Sequence, residues 1–135
     1  MSMESITGGC ACGAVRYRAK GPIGFHILCQ CRFCQRFSGS VHSALLAVPK
    51  AGLVIEGPAK GYSYDNGLGG IRLRVFCSIC GSGIHGGNPD EDFVTLIASS
   101  LDDPSLFAPT EVINRDEAAP WHKKAASLIL HDEAG

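Results

Sequence analysis

The chain has 135 residues, a formal net charge of -1 and 45% hydrophobic residues. This length suits one domain over residues 1–135, burying roughly two-thirds of its unfolded surface. The lack of basic excess argues against a nucleic-acid partner, and no apolar run approaches the about 18 residues of a membrane helix. No positively charged segment followed by an apolar stretch opens the chain, so we expect a cytoplasmic protein.

Alternation of apolar and polar residues dominates the chain, and no segment keeps a strong helical period beyond a few turns. Val15, Tyr17 and Ala19 alternate with basic residues, which predicts a strand with one buried face. Further predicted strands cover residues 23–27, 43–48, 53–55, 61–64, 71–76 and 93–98. The sequence therefore predicts a mainly β protein.

Two glycine-rich pairs separate two of these runs. Asn66-Gly67 and Gly69-Gly70 tolerate positive φ, so they predict a hairpin connection and an antiparallel sheet system. The stretch from Asp116 to Leu130 predicts one short C-terminal helix. No linker or internal repeat divides the chain, which again favours one domain.

The seven cysteines fall into three clusters: Cys10-Ala11-Cys12, Cys29-Gln30-Cys31-Arg32-Phe33-Cys34 and Cys77-Ser78-Ile79-Cys80. In a reducing compartment, clustered cysteines indicate metal binding or catalysis more often than disulfides, and an odd number would leave one thiol unpaired. Structural zinc takes four ligands, whereas catalytic zinc keeps three protein ligands and an open position. Seven cysteines fit one site of each kind.

The middle cluster, Cys29, Cys31 and Cys34, is compact enough to bind one ion from a single loop. The other four cysteines, Cys10, Cys12, Cys77 and Cys80, would then form a closed four-thiolate site. An alternative joins the last two cysteines of the middle cluster with the third cluster in a ribbon-like site. Its intervening segment is longer than the usual about 15–20 residues, so this pairing ranks second.

Other readings of the middle cluster stay open. A fourth ligand from His26, His42 or His85 would close it and make it structural. The ligand type also permits an iron–sulfur cluster, although the count suits zinc better. Redox-active thiols are a further possibility.

The clusters and their flanking residues form an ordered pattern. It comprises Gly9-Cys10-x-Cys12-Gly13, Cys29-x-Cys31-Arg32-x-Cys34-Gln35-Arg36 with Ser38-Gly39, Phe76-Cys77-x-x-Cys80-Gly81-Ser82, and Pro120-Trp121. This pattern resembles the glutathione-dependent formaldehyde-activating enzyme family, whose wider group includes centromere protein V. The resemblance implies a zinc-stabilised β-sandwich with two zinc ions per chain. The four-cysteine set would be structural, and the middle cluster would hold the second zinc at the active site.

The resemblance also implies an activity. The family's named reaction condenses glutathione with formaldehyde to S-(hydroxymethyl)glutathione, which makes the enzyme a carbon-sulfur lyase acting on a thiol adduct. A small thiol such as glutathione carries carboxylates, for which Arg32 and Arg36 are the candidate contacts. A monomer or a homodimer would suit this activity.

Two other hypotheses compete with this one. A zinc-stabilised binding module without catalysis, as the relation to centromere protein V suggests, predicts a closed second site with no thiol affinity. A redox or zinc-responsive thiol protein predicts easy oxidation of the middle cluster.

Overall fold

The computed structural model describes residues 5–67, 70–122 and 127–132. The strands are β1 (Ser5–Gly9), β2 (Arg16–Lys20), β3 (His26–Cys29), β4 (Ser43–Pro49), β5 (Val54–Glu56), β6 (Ala59–Asp65), β7 (Ile71–Cys77), β8 (Gly83–Gly87), β9 (Phe93–Ile97) and β10 (Glu111–Ile113). An α-helix, α1 (Arg32–Ser38), lies between β3 and β4, and short 3-10 turns cover Lys50–Gly52, Ala98–Ser100, Pro104–Leu106 and Arg115–Glu117. Among the helices of the described ranges, none is long and apolar enough to cross a membrane.

The strands form two sheets, which confirms the mainly β prediction. The smaller sheet has the order β1-β2-β5, and the larger has the order β10-β3-β4-β9-β8-β7-β6. Named strands pair antiparallel, except that β10 runs parallel to β3. This exception arises because the chain leaves β9 and crosses back over the sheet to reach the free edge of β3. The predicted antiparallel system is therefore correct apart from this edge.

The core lies between the two sheets. Tyr17 and Ala19 of β2 are buried while Arg16 and Arg18 are exposed, as the alternation predicts. The largest fully buried side chains come from both sheets and, for Val15, from the residue before β2: Ile6, Leu46, Ile84, Leu96, Val15, Val48 and Cys77. Burial of these apolar groups is the main contribution that holds the sheets together.

The predicted strands occur close to their expected positions, and β6 and β7 form the predicted hairpin. The amide of Asn66 donates to the carbonyl of Gly70 across its turn, at 3.1 Å; residues 68–69 are outside the described ranges. The sequence pattern did not predict β1, β8 and β10. The first two are rich in glycine, and β10 has three exposed residues, so none carries a strong strand pattern.

The one α-helix of the described residues was not predicted. It begins after Cys31, whose sulfur caps the amide of Cys34, and ends at Gly39 in the left-handed conformation. Its seven residues are too few for a recognisable period. In the stretch 116–130, where a C-terminal helix was expected, the structure shows the end of the 3-10 turn Arg115–Glu117, and residues 123–126 lie outside the described ranges.

Candidate metal centres

Four cysteines meet where the two sheets adjoin. Cys10 and Cys12 lie in the connection from β1 to β2, while Cys77 ends β7 and Cys80 follows it. Their sulfurs all lie within 4.8 Å of one another. The Cys10 and Cys12 sulfurs are 3.6 Å apart, and those of Cys12 and Cys77 are 3.8 Å apart.

Both loops of this four-cysteine site orient backbone amides toward sulfur. Val15 donates to the Cys10 sulfur at 3.2 Å, and the amides of Ile79 and Cys80 donate to the Cys77 sulfur at 3.4 and 3.5 Å. The turn after Cys80 closes at Gly81, where φ is 79°. A side chain would strain this backbone, so glycine suits the turn.

The geometry fits a tetrahedral zinc ion. Four sulfurs at about 2.3 Å from a common centre lie about 3.8 Å apart, close to the two measured separations. The two sulfurs of a disulfide would lie about 2.05 Å apart, and all seven cysteines are free thiols. Hydrogen bonds from the hydroxyl and backbone of Ser82 lower the pKa of Cys80 to about 5, which favours the thiolate that zinc requires.

The middle cluster forms a second site on the larger sheet. Cys29 ends β3, Cys31 caps α1, and Cys34 lies in its first turn, so a single short segment supplies all three thiols. Their sulfurs lie within 4.8 Å of one another. Cys29 and Cys34 are buried, and the Cys34 amide donates to the Cys31 sulfur at 3.3 Å.

Two side chains from distant parts of the chain contact these sulfurs. The Arg74 Nη2 donates to the Cys34 sulfur at 3.2 Å, and the Asn114 Nδ2 donates to the Cys29 sulfur at 3.3 Å. A hydrogen bond with Cys34 lowers the pKa of Cys29 to about 5, and the Asn114 amide acts in the same direction. The hydrogen bond to Cys29, together with burial, raises the pKa of Cys34. Of these two thiols, Cys29 therefore ionises first.

The segment after β10 holds the loop of the middle cluster in place. The buried Gln35 amide donates to the carbonyls of Gln30 and Glu117, at 2.7 and 2.8 Å. The Arg32 amide donates to the Glu117 carboxylate at 3.1 Å, and its guanidinium hydrogen-bonds the Gln35 side-chain oxygen. Arg36 is exposed. Of the two predicted substrate contacts, Arg32 thus bonds within the loop, whereas Arg36 faces solvent.

The three histidines considered as a fourth ligand lie outside the sulfur group. The described residues within ligand distance at this site are the three cysteines. His26 Nδ1 accepts a hydrogen bond from the Ala108 amide at 3.1 Å. His42 and His85 each have a buried Nδ1 without a hydrogen-bond partner, and burial lowers the pKa of His85 to about 4.

A cleft of about 340 Å³ lies beside the middle cluster. Arg74 lines this cleft and touches Cys34, so it connects the two. Ser43 also lines it and donates its hydroxyl to the Cys34 carbonyl at 3.1 Å. Apolar and aromatic side chains supply most of the remaining wall: Phe37, Tyr62, Val75, Phe76 and Ile97.

An aromatic cluster at the edge of this cleft joins α1 to the β6–β7 hairpin. It consists of Phe33, Phe37, Tyr62 and Tyr64. The Phe33 and Tyr64 rings stack with centroids 5.0 Å apart, and the Arg74 guanidinium lies 5.0 Å from the Phe37 centroid. Phe37 is 42% exposed and Tyr62 is 54% exposed, so the cluster presents rings to solvent.

The middle cluster fits a zinc ion with three protein ligands, because three thiols converge and none of the described histidines joins them. Outer hydrogen bonds such as those from Arg74 and Asn114 are the kind that orient ligands of a metal. The sequence pattern assigns no role to these two residues. Both lie about 40 or more positions from their partner cysteines in the chain, and the packing of distant segments brings them close.

Comparisons with known proteins agree with this architecture. No curated protein sequence matches the chain significantly. A crystal structure of a Rhodobacter sphaeroides protein, a Northeast Structural Genomics target, has a similar fold with a TM-score of 0.61 and 19% sequence identity, over 78% of this chain and 98% of that one. The sequence profile described as glutathione-dependent formaldehyde-activating enzyme matches residues 5–116. This chain therefore belongs to the glutathione-dependent formaldehyde-activating enzyme family.

Proposed function

We propose that the protein is a zinc-dependent carbon-sulfur lyase-type enzyme that forms or cleaves a thiol adduct at the middle cluster. The observation that carries the proposal is three convergent thiols beside a cleft, with no fourth protein ligand among the described residues. Zinc with three protein ligands keeps a position for a substrate atom. The four-cysteine site would hold a second zinc with a purely structural role.

The charges around the middle cluster suit this chemistry. Zinc bound there would deprotonate a coordinated substrate thiol and so supply a thiolate at neutral pH. Three cysteine thiolates with a divalent ion would carry a net charge of about -1. The Arg74 guanidinium would offset this charge, because its Nη2 lies 3.2 Å from the Cys34 sulfur. Asn114 holds Cys29 in place through its amide. The protein residues thus orient the sulfurs and balance their charge.

The family description points to glutathione as the thiol and formaldehyde as the carbonyl compound. We propose Arg36 as a contact for a glutathione carboxylate, since its side chain is exposed on the helix that carries Cys34. A reducing cytoplasm would keep the seven thiols available for metal, and the protein would act there as a monomer or a homodimer.

A thiol titration of cobalt-substituted protein tests this function. Glutathione is expected to alter the cobalt–thiolate absorption of the middle cluster, because its sulfur enters the open position. S-methylglutathione, which lacks a free thiol, is the matched control and should leave the spectrum unchanged. A Cys31→Ser variant should lose the response and keep one metal.

The alternatives give different outcomes in the same experiment. Two bound metals with no response to glutathione would contradict the enzyme and favour a zinc-stabilised binding module. Loss of the second metal on mild oxidation, with no thiol-dependent spectrum beforehand, would favour a redox-responsive thiol protein.

A further inference from the structure

The cleft beside the middle cluster is much larger than formaldehyde requires. A cavity of about 150 Å³ lined by apolar residues accommodates benzene, whereas this cleft encloses about 340 Å³. Phe37 and Tyr62 contribute aromatic surface, and Val75 and Ile97 contribute aliphatic surface. Ser38, Ser43 and Ser99 add hydroxyl groups, so the cleft combines apolar walls with a few polar groups, as sites for small organic ligands usually do.

The charge of the cleft does not match the body of glutathione. That tripeptide presents two carboxylates and an ammonium group, which need several opposite charges. Among the described residues that line the cleft, Arg74 is the charged side chain at neutral pH, since burial lowers the pKa of His85 to about 4. The glutathione body would therefore lie outside, toward the exposed helix surface and Arg36, and the cleft receives the other reactant.

Arg74 supplies the polar contact that this reactant needs. A guanidinium carries five N–H donors, and the Arg74 Nη2 uses one of them on the Cys34 sulfur. The Arg74 side chain also lines the cleft, so a ligand oxygen there can accept a hydrogen bond from the guanidinium. Because Phe37 lies 5.0 Å from the guanidinium, a ligand whose oxygen meets Arg74 has its apolar part next to an aromatic ring.

We infer that the carbonyl substrate is an aldehyde with an aryl or similarly sized apolar body, whose oxygen accepts from Arg74 and whose body packs against Phe37 and Tyr62. This inference rests on the proposed function and puts such an aldehyde in the place of formaldehyde as the second reactant. In the forward reaction the thiol sulfur bonds to the carbonyl carbon, the C=O π pair moves to oxygen, and that oxygen takes up the proton released by the thiol. The product is a hemithioacetal, and all atoms of both reactants are retained.

Two unreactive amides probe the cleft of the zinc-loaded protein. Phenylacetamide carries a carbonyl oxygen and a phenyl ring, and acetamide carries the same carbonyl without the ring. We expect phenylacetamide to bind about tenfold more tightly or better, because its ring is buried. Nuclear magnetic resonance titration would give both dissociation constants. Equal affinities for the two amides would overturn the inference.

Matched variants separate the two contacts. Phe37→Ala should remove most of the preference for phenylacetamide, whereas Phe33→Ala should preserve it, since both rings are 42% exposed but Phe33 does not line the cleft. Arg74→Gln should weaken both amides about fivefold to tenfold. Arg72→Gln, two residues earlier on β7, should weaken neither. The inference would be overturned if the two phenylalanine variants had the same preference for phenylacetamide, or if the two arginine variants bound the amides with the same affinity.

The thiol titration keeps failure of the inference distinct from failure of the proposed function. Amide binding that depends on Phe37, with no spectral response to glutathione, would overturn the function and leave an apolar carbonyl site without its thiol. A thiol response combined with equal amide affinities would overturn the inference alone. The zinc content of Arg74→Gln, measured in parallel, shows whether this variant loses amide binding because it loses metal. If it does lose metal, the inference is tested by the loss of the phenylacetamide preference in Phe37→Ala.

Discussion

The two cysteine sites differ in how the chain assembles them. The four-cysteine site takes two ligands from the loop between β1 and β2 and two from the turn after β7, so it joins the smaller sheet to the larger one. The middle cluster takes its three thiols from residues 29–34 alone. A metal in the first site would link distant parts of the chain, whereas a metal in the second would close one local loop.

The groups that contact the sulfurs also differ between the two sites. Backbone amides and Ser82 surround the sulfurs of the four-cysteine site. At the middle cluster, side chains from β7 and from the segment after β10 contact the sulfurs, whereas clefts border both sites. In the proposed function, the four cysteines would complete the coordination of a structural metal, whereas the three thiols of the middle cluster would leave a position for a substrate atom.

The largest effect is expected from removing a ligand of the four-cysteine site. Structural zinc contributes on the order of 10–16 kcal/mol apparent, comparable with the whole stability of a small domain. Cys80→Ser should therefore lower the thermal unfolding midpoint by more than about 10 °C. Calorimetry on zinc-loaded protein measures this. A smaller loss than in Cys31→Ser would break the proposed division between the sites.

Cys31→Ser should abolish the activity while the protein stays folded. The variant loses one of three ligands, so we expect one zinc per chain and no cobalt–thiolate response to glutathione. The thermal unfolding midpoint should fall by only a few degrees, at about 2–4 °C for each kcal/mol of lost stability. Elemental analysis with circular dichroism checks both parts. Unfolding of this variant would show that the middle cluster is structural as well.

A subtler change addresses the side chains around the middle cluster. Asn114 has φ 58°, which glycine also adopts readily, so Asn114→Gly removes the amide with little backbone strain. Loss of such an outer contact lowers metal affinity by about 10–100-fold. Competition with a zinc-binding dye should show weaker binding at one site only. Equal weakening at both sites would mean that Asn114 acts through the overall fold.

The smallest effect is expected at Arg36. Arg36→Gln should raise the dissociation constant for glutathione about threefold, since an exposed ion pair contributes up to about 1 kcal/mol. The difference should shrink as salt is added, because exposed charges are screened. Titrations at low and high salt measure it. A salt-independent effect would exclude a carboxylate contact.

The sequence was sufficient for the parts of the molecule that depend on local patterns. Alternation along β2 predicted its buried Tyr17 and Ala19, and the glycine-rich pairs predicted the β6–β7 hairpin. The grouping of cysteines into four and three followed from ligand counting and agrees with the distances between sulfurs. These features require no knowledge of long-range pairing.

The remaining features depend on contacts between distant segments. Arg74 lies on an alternating strand where it resembles any charged surface residue, and only the packing of α1 on the β6–β7 hairpin brings it to Cys34. Asn114 reaches Cys29 because β10 pairs with β3. The predicted contact Arg32 is instead directed to Gln35, because a seven-residue helix places them one turn apart.

Stepwise removal of zinc tests the central claim most directly. A chelator is added in increments to the two-zinc protein while bound zinc, circular dichroism and the spectral response of a parallel cobalt sample to glutathione are recorded. The account predicts that loss of the first equivalent abolishes the thiol response and leaves the fold intact, and that loss of the second unfolds the chain. Unfolding with the first equivalent, or release of both metals together, would contradict it.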